Sequence, residues 1–341
     1  MKWETYCNNY TNEAKSRNLD ENKTNEYLEY AKILFDKDLP IIYDQYHLSL
    51  LVGYKYEYIL AASNSSANFY RKFEIPKKNG DMRKISEPLP SLKEIQYWIL
   101  NEILNKIKVS KYAKAYIKGR SIKENARFHR NQKVVATLDI KDYFPSISVF
   151  KIIEVFEDIG YSKSVSVMLA NLCCLNNSLP QGAPTSAALS NIVMKDIDDL
   201  IVKYTNLHKI RYTRYADDLT FSGDFNFEEL LRYVKKLFKK NGFKINSKKT
   251  RRFYRDQRQI VTGIVTNEKL QAPKEIRRNL RRDMYYIQKY GLNSHLEKVG
   301  NTKNNYLYHL LGIVNFILFV NPKDTDVIKY KEILKKYILN D

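Results

Sequence analysis

Acidic residues stand at the ends of apolar, strand-like segments, and this placement constrains the fold more than any other feature of the sequence. The apolar run 134–138 leads directly into Asp139, while Asp217 and Asp218 stand side by side between the segments 210–214 and 219–222. Adjacent carboxylates at a tight turn repel each other unless a cation neutralises them, and Mg²⁺ prefers such oxygen ligands. If the two elements are neighbours, three carboxylates meet as two-metal phosphoryl transfer requires. An ordinary Asp-Asp hairpin turn is the alternative for the pair.

The positive charge of the chain is unevenly distributed. The sequence has 58 Lys and Arg against 38 Asp and Glu, a formal net charge of +20. Residues 1–60 sum to about −3, whereas residues 231–260 contain 12 Lys and Arg and one Asp. A concentrated positive field suits a polyanion, either nucleic acid or an anionic membrane. A Lys-rich composition would raise the pI without any partner but would not explain the clustering, so we expect nucleic acid.

Other features of the sequence argue against a membrane or secreted protein. The most apolar stretch, 310–320, is much shorter than the roughly 20 residues that a membrane span needs. The polar N-terminus lacks the apolar core of a signal peptide. Cys7, Cys173 and Cys174 fit neither a zinc spacing nor a disulfide framework. We therefore expect a cytoplasmic protein with free thiols and no membrane partner.

The pattern of apolar residues predicts a mixed fold. Helical periodicity covers residues 92–107, 228–239 and 274–290. Short strands are predicted over residues 69–75, 82–85, 134–138, 211–214, 219–222 and 259–265. Asn79 and Gly80 indicate a hairpin turn between the first two strands, because a type I′ turn needs the positive φ that Asn-Gly supplies. The fold class is α+β, with a mainly helical C-terminal third.

Two motifs resemble those of reverse transcriptases. Tyr215-Ala216-Asp217-Asp218 is similar to the catalytic hairpin of that family, and residues 179–186, Leu-Pro-Gln-Gly-Ala-Pro-Thr-Ser, resemble its dNTP-binding motif B. The order of a basic hairpin, the Asp139 strand and these two motifs matches the family from residue 69 to 265. The resemblance implies a right-hand polymerase fold with fingers, a palm containing an antiparallel sheet, and a helical thumb. We expect residues 1–60 to pack on the fingers, 61–270 to form fingers and palm, and 271–341 to form an RNA-binding thumb.

The resemblance also implies the catalytic residues of an RNA-directed DNA polymerase. Asp139, Asp217 and Asp218 would bind two Mg²⁺ ions, for which Mn²⁺ could substitute. Lys249 is similar to the lysine proposed to protonate the leaving pyrophosphate. The neighbouring Lys248 is equally available in the sequence, so the choice between the two stays open.

Five residues correspond to the family's dNTP-binding positions. Phe144 would exclude a 2′-hydroxyl sterically, and it could also be a core aromatic. Gln181 and Gly182 would line the nucleotide pocket, where a close backbone approach explains the glycine. Lys77 and Arg83 resemble the finger residues that clamp the triphosphate, although a solvated hairpin would show similar charges.

Two further segments resemble the retron branch of the family. Residues 125–129, Asn-Ala-Arg-Phe-His, are similar to its Asn-Ala-x-x-His motif, and residues 261–263 are similar to its Val-Thr-Gly motif. His129 could instead be a core histidine and Gly263 a β-bulge. Four arginines follow in one short run, where like charges four residues apart repel unless a polyanion is present. The residues expected to bind RNA are Asn125, His129, Val261, Thr262, Gly263, Arg277, Arg278, Arg281 and Arg282.

A retron enzyme would prime from a 2′-hydroxyl of its cognate structured noncoding RNA and make branched, RNA-linked single-stranded DNA (msDNA). It would act in antiphage defence with a separate effector protein. The 76 residues after Val265 are too few for a thumb and an RNase H domain, so we expect host RNase H to remove the template. The alternatives are another bacterial reverse transcriptase, intron-derived, diversity-generating or of the abortive-infection type, or an RNA/DNA scaffold that holds a toxin inactive.

Overall fold

The computed structural model of the protein describes residues 2–77, 80–300 and 306–339. The helices of these residues are α1 (Trp3–Ser16), α2 (Glu21–Asp36), α3 (Gln45–Val52), α4 (Tyr56–Asn64), α5 (Pro90–Glu102), α6 (Ile122–Phe128), α7 (Val149–Ile159), α8 (Lys163–Cys173), α9 (Ser186–Val193), α10 (Lys195–Leu207), α11 (Phe227–Lys240), α12 (Lys274–Tyr290), α13 (Leu292–Lys298), α14 (Tyr306–Val320) and α15 (Thr325–Leu339). The strands are β1 (Tyr70–Pro76), β2 (Met82–Pro88), β3 (Val134–Asp139), β4 (Arg211–Tyr215), β5 (Asp218–Gly223), β6 (Arg251–Tyr254), β7 (Ile260–Val261) and β8 (Ile264–Val265).

The chain divides into two compact units. The first comprises Met1–Lys111, Lys141–Leu200 and Leu237–Lys244. The second comprises Tyr112–Ile140, Ile201–Lys236 and Ile245–Asp341. The predicted segments 1–60, 61–270 and 271–341 follow a different criterion, and their boundaries stay a prediction.

A four-stranded antiparallel sheet with the order β4-β5-β3-β6 lies in the second unit. The central strand β3 is buried along nearly its whole length, including Val134, Val135, Ala136 and Leu138. A strand covered on both faces has a continuous apolar sequence instead of an alternating one, which explains the uninterrupted run before Asp139. The predicted strands 134–138, 211–214 and 219–222 are confirmed.

The predicted strand over residues 259–265 is wrong in one respect, because the chain reverses in its middle. β7 and β8 pair antiparallel, with Ile260 opposite Val265 and Val261 opposite Ile264. Thr262 has φ of 45° and Gly263 has φ of 80°, and two successive positive φ angles are typical of a tight hairpin turn. The Val-Thr-Gly motif is therefore the end of β7 with the turn that follows it, and not the interior of one strand.

Helices form the C-terminal part of the second unit, as predicted. On α12, Leu280, Met284 and Ile287 recur at three- and four-residue spacing and are fully buried. They belong to one apolar cluster with residues of α14 and α15, among them Val314 and Leu334. The opposite face of α12 carries charged residues, so its periodicity is that of an amphipathic helix.

The first unit contains an antiparallel hairpin and the N-terminal helices. β1 pairs with β2 from Tyr70 opposite Pro88 to Pro76 opposite Met82, which confirms the predicted hairpin. The predicted turn residue Asn79 lies outside the described residues, as does Lys78, while Gly80 has φ of 89°. The helix predicted over 92–107 is shorter, because α5 ends at Glu102 and a 3₁₀ turn follows over Leu104–Lys106.

The three cysteines are free, as predicted. Cys173 and Cys174 are buried, and Cys7 is half-buried. Burial raises the pKa of the Cys173 thiol to about 12. Among the helices of the described residues, none has both the length and the apolar character needed to cross a membrane.

Candidate active site

Strand pairing places the predicted catalytic aspartates next to one another in the second unit. Asp139, the last residue of β3, is the register partner of Asp218, the first residue of β5. The Ile140 amide donates a hydrogen bond to the Asp217 carbonyl oxygen at 2.9 Å. Asp139 is buried at 5% exposure, Asp217 is half-buried and Asp218 is exposed. The structure therefore brings the three carboxylate-bearing residues together at one end of the sheet.

The turn between β4 and β5 has a strained backbone. Tyr215 and Asp218 are the last register pair, so Ala216 and Asp217 form a two-residue loop. Ala216 has φ of 57°, a left-handed conformation that costs a residue with a Cβ about 1–2 kcal/mol. The buried Arg214 donates from Nη1 to the Ala216 carbonyl oxygen at 3.2 Å. Such strain concentrates at functional sites, where the surrounding structure maintains it.

Repulsion between the acids is visible in the electrostatics of Asp218. Desolvation and the negative charges of Asp217 and Asp139 together raise the pKa of Asp218 to about 6, while Lys249 opposes the increase. A carboxylate that is disfavoured by its neighbours gains the most from a bound cation. A cation bound beside Asp218 would therefore stabilise its ionised carboxylate and lower this pKa.

Lys249 and Asn246 contact Asp139 from the segment before β6. The Lys249 ammonium lies 2.8 Å from Asp139 Oδ2, and Asn246 Nδ2 donates to Oδ1 at 3.1 Å. The Asn246 amide also donates to the Asp139 carbonyl oxygen at 2.8 Å. The hydrogen bond to Asp139 raises the pKa of Lys249. Lys248 forms no ion pair with any described residue, so the geometry favours Lys249 over Lys248 as the functional lysine.

The carboxylate oxygens of Asp139, Asp217 and Asp218 are suitable ligands for a hard divalent cation. Within the described ranges, however, no three His, Cys, Asp or Glu side chains are arranged as a ready metal site. Both carboxylate oxygens of Asp139 are already engaged by Lys249 and Asn246. The donor set fits the metal, because each Asp139 oxygen accepts one hydrogen bond and keeps a second lone pair for a cation.

The predicted dNTP-binding residues lie in the first unit. Lys77 and Arg83 are exposed on the β1–β2 hairpin, and Phe144 is half-buried with its ring centroid 5.3 Å from that of Tyr143. The Ser86 amide of β2 donates to the Gln181 carbonyl oxygen at 2.8 Å. Their role in dNTP binding stays a prediction.

A close protein contact explains Gly182. The residue has φ of 130°, and a Cβ added to it would lie 2.8 Å from the Ser86 carbonyl oxygen. Glycine is required here because the backbone of β2 approaches closely, and this requirement is independent of nucleotide binding.

The two retron-like motifs meet inside the second unit. Asn125, His129 and Val261 are fully buried, Thr262 is half-buried and Gly263 is exposed. A direct contact of RNA with the three buried residues stays a prediction that their burial does not support. Instead, Asn125 Nδ2 lies 3.5 Å from Thr262 Oγ1, and Thr262 Oγ1 donates to the Ile122 carbonyl oxygen at 3.2 Å.

The four arginines of α12 differ in their surroundings. Arg278 and Arg281 are exposed, whereas Arg277 is half-buried and its Nε has no hydrogen-bond partner among the described residues. Arg282 pairs with Asp283 at 3.1 Å. Exposed Tyr285 lies one turn beyond Arg281, with the Lys289 ammonium 5.4 Å from its ring centroid.

Some residues of the site were not found from the sequence. Asn246 is three residues before Lys249, and Thr213 and Ser222 are buried on β4 and β5, where they contact His129. For Thr213 and Ser222, the one available signal was a polar residue at an inward-facing strand position. That signal does not identify the residue that the side chain contacts. Strand pairing decides these contacts.

Comparisons with known proteins agree with the geometry of the site. Residues 75–312 match the family described as reverse transcriptase (RNA-dependent DNA polymerase). The chain is 31% identical over 307 residues to the retron Ec86 reverse transcriptase of Escherichia coli, covering 88% of this chain and 92% of that protein. The chain belongs to the retron reverse transcriptases. The retron Mx65 reverse transcriptase of Myxococcus xanthus is 30% identical over 299 residues, with 82% of this chain and 68% of that protein covered.

Membership of this family confirms the α+β, right-hand polymerase fold and the RNA-directed DNA polymerase activity of the retron reverse transcriptase. A solved structure of telomerase from Candida albicans, in complex with a fragment of telomeric RNA, is similar at 13% identity and a TM-score of 0.47. It covers 76% of this chain and 56% of the telomerase chain.

Proposed function

We propose that this retron reverse transcriptase primes from a 2′-hydroxyl of its cognate structured noncoding RNA and makes branched, RNA-linked single-stranded DNA. The single observation that carries the catalytic part is the register pairing of Asp139 with Asp218, beside Asp217. The retron part is supported by a relative that is 31% identical and matched over 92% of its length.

The chemistry is divided between metal ions and side chains of this chain. Reverse transcriptases use divalent metal ions, and Asp139, Asp217 and Asp218 would hold two Mg²⁺, or Mn²⁺, here. Bound metal lowers the pKa of an attacking hydroxyl and stabilises charge on the leaving pyrophosphate. Lys249, which like any lysine is an ammonium at neutral pH, would donate a proton to that pyrophosphate.

The exposed residues of α12 would bind the RNA. Arg278 and Arg281 lie on one helix face, three residues apart, with Tyr285 one turn further on. Recognition of A-form RNA proceeds through phosphate and 2′-hydroxyl contacts, to which arginines are suited, and exposed rings can stack on unpaired bases. The product, a cognate RNA linked to DNA, would then act in antiphage defence with a separate effector, after host RNase H trims the template.

The experiment compares expressing cells that carry the wild type, Asp217→Asn, Asp218→Asn or Asp224→Asn. Asp224 is the matched control, because it lies just beyond the far end of β5 and pairs with Lys133 on the surface. We expect the DNA yield of Asp217→Asn and Asp218→Asn to fall by more than about 100-fold. Loss of a residue that only hydrogen-bonds to a metal ligand already lowers metal affinity or activity by about 10–100-fold. Asp224→Asn should match the wild type.

The same extracts test the priming mechanism. Wild-type DNA should be linked to RNA and should shift on a gel after treatment with a debranching enzyme. DNA that is free or protein-linked would contradict retron priming. If Asp217→Asn makes no DNA but still binds the RNA and neutralises the effector, the protein acts as a scaffold independently of polymerisation.

A further inference from the structure

His129 bridges the two strands that carry the catalytic turn. Its Nδ1 lies 2.8 Å from Ser222 Oγ on β5, and its Nε2 lies 2.7 Å from Thr213 Oγ1 on β4. His129, Ser222 and Thr213 are each at most 1% exposed. β4 leads into the turn that carries Asp217 and Asp218, and β5 leads out of it. One imidazole ring is therefore hydrogen-bonded to both strands of the catalytic hairpin.

The hydrogen bonds continue from β4 to both retron-like motifs. Thr213 Oγ1 donates to Asn125 Oδ1 at 2.5 Å, and Asn125 Nδ2 donates to Thr262 Oγ1 at 3.5 Å. Thr262 Oγ1 in turn donates to the Ile122 carbonyl oxygen at 3.2 Å. One chain of contacts therefore joins α6, the catalytic hairpin and the β7–β8 turn, all within the second unit.

The orientation of the Asn125 amide sets the direction of each hydrogen bond in this chain. The Thr213 hydroxyl proton is used on Asn125 Oδ1, so Thr213 Oγ1 accepts from His129, and the proton of His129 is on Nε2. Nδ1 must then be an acceptor, and Ser222 Oγ is its donor. Thr262 likewise donates to Ile122, so it accepts from Asn125. Each hydroxyl has one proton, so the Nε2–H tautomer of His129 follows from the orientation in which Asn125 Oδ1 faces Thr213.

We propose that His129, as the neutral Nε2–H tautomer, is a positioning residue that fixes β4 against β5 and so sets the separation of the catalytic carboxylates. The proposal rests on the proposed polymerase function of Asp217 and Asp218. It gives the Asn-Ala-x-x-His and Val-Thr-Gly motifs a role in catalytic geometry, in place of direct RNA contact.

Two other observations agree with this assignment. Burial, with smaller contributions from the charges of Arg211 and Lys114, lowers the pKa of His129 to about 3, so the ring stays neutral. The same helix end makes a second contact with β4, because Arg211 Nη1 donates to the Phe128 carbonyl oxygen at 2.9 Å. A buried network whose members are all satisfied rigidifies the groups that it joins.

The test replaces Thr213, because valine keeps its shape and removes its hydroxyl. Thr213→Val leaves His129 Nε2 without an acceptor and Asn125 Oδ1 without a donor. Thr213→Ser keeps the hydroxyl and should rescue the defect. The matched control is Thr220→Val, since Thr220 is the register partner of Thr213 on β5, is 1% exposed and has no part in the chain of hydrogen bonds.

Single-nucleotide incorporation is measured on an exogenous primed homopolymer, which bypasses recognition of the cognate RNA. We expect Thr213→Val to lower kcat about 10-fold or more with little change in KM for dNTP, because small misplacement of reacting groups slows chemistry strongly. Thr220→Val should keep wild-type kcat. Ser222→Ala should resemble Thr213→Val, and the double variant should be much less than additive.

Several outcomes would overturn the proposal. A lower unfolding temperature with unchanged kcat would mean a purely structural role. Weaker retention of cognate RNA with unchanged kcat on the homopolymer would mean RNA recognition. Survival of activity in Asp217→Asn would instead refute the proposed function. If Thr213→Val does not fold, ¹⁵N NMR of the wild-type imidazoles at pH 7 decides: a His129 that is cationic or protonated on Nδ1 overturns the proposal, and neutral Nε2–H supports it.

Discussion

At the residue scale, Lys248 and Lys249 have the same side chain and different surroundings. The Lys249 ammonium lies 2.8 Å from Asp139 Oδ2, and Lys248 makes no such contact with a described residue. We expect Lys249→Met to lower the rate of nucleotide incorporation by about 100-fold, a common size for a lost general acid. Lys248→Met is the control and should stay within about twofold of the wild type. Equal losses in rapid-quench measurements would contradict the assignment.

Asp218 links stability to pH. Its pKa in the folded protein is about 6, above the ordinary value of 3.8, so its ionisation destabilises the fold. The destabilisation begins as the pH rises through about 4 and is complete above about 6. Because Asp218 is exposed, solvent screening reduces this effect, and in EDTA at pH 7.5 Asp218→Asn should melt only about 2 °C above the wild type. At pH 5 the gain should shrink.

The control for this measurement is Asp224→Asn, which removes an exposed carboxylate from the far end of the same strand. Saturating Mg²⁺ should stabilise the wild type more than Asp218→Asn, because a ligand that binds the folded state raises its stability. A variant that melts below the wild type at pH 7.5 would show that the Asp218 charge is not a source of strain.

The sequence predicted those residues whose role follows from chain position. Asp139 follows an apolar strand and Asp217 and Asp218 lie between two others, so the sequence predicted that these acids meet if the strands are neighbours. Thr213 and Ser222 could not be identified, because their importance depends on a histidine more than 80 residues away in the chain. Local patterns carry no information on such pairings.

At the scale of the elements, Gly182 fixes the contact between its loop and β2. Both Gly182 and Gly53 have positive φ. A Cβ added to Gly182 would clash with the Ser86 backbone, whereas a Cβ added to Gly53 would have no atom within 4 Å. Gly53→Ala should cost about 1 kcal/mol of unfolding free energy for the backbone conformation alone. Gly182→Ala should cost about 1–3 kcal/mol more for the steric clash. Equal losses in denaturant titrations would contradict the close approach.

Strands and helices were predicted well where periodicity was long and uninterrupted. α12 begins and ends at the predicted residues 274 and 290. The β7–β8 turn was missed because Thr262, a β-branched residue, adopts a positive φ that such residues rarely take. Its hydroxyl contacts Asn125 and donates to the Ile122 carbonyl oxygen, which stabilises the turn.

At the scale of the whole molecule, the charge of +20 predicts a strong dependence of RNA binding on salt. Each lost phosphate contact should reduce the slope of log K against log salt concentration by about 1, so Arg278→Ala/Arg281→Ala should reduce it by about 2. The control is Arg17→Ala, since Arg17 is an exposed arginine that pairs with Glu13 on α1. An unchanged slope in filter-binding titrations would place the RNA elsewhere.

The cysteines offer a practical consequence for studying these steps. Cys173 and Cys174 are buried, and a raised pKa further suppresses thiolate formation at Cys173, whereas Cys7 is half-buried on α1. Maleimides react with accessible thiolates. A fluorophore should therefore attach selectively at Cys7 of the unmodified protein, so single-molecule fluorescence of RNA capture and DNA synthesis needs no cysteine-free background.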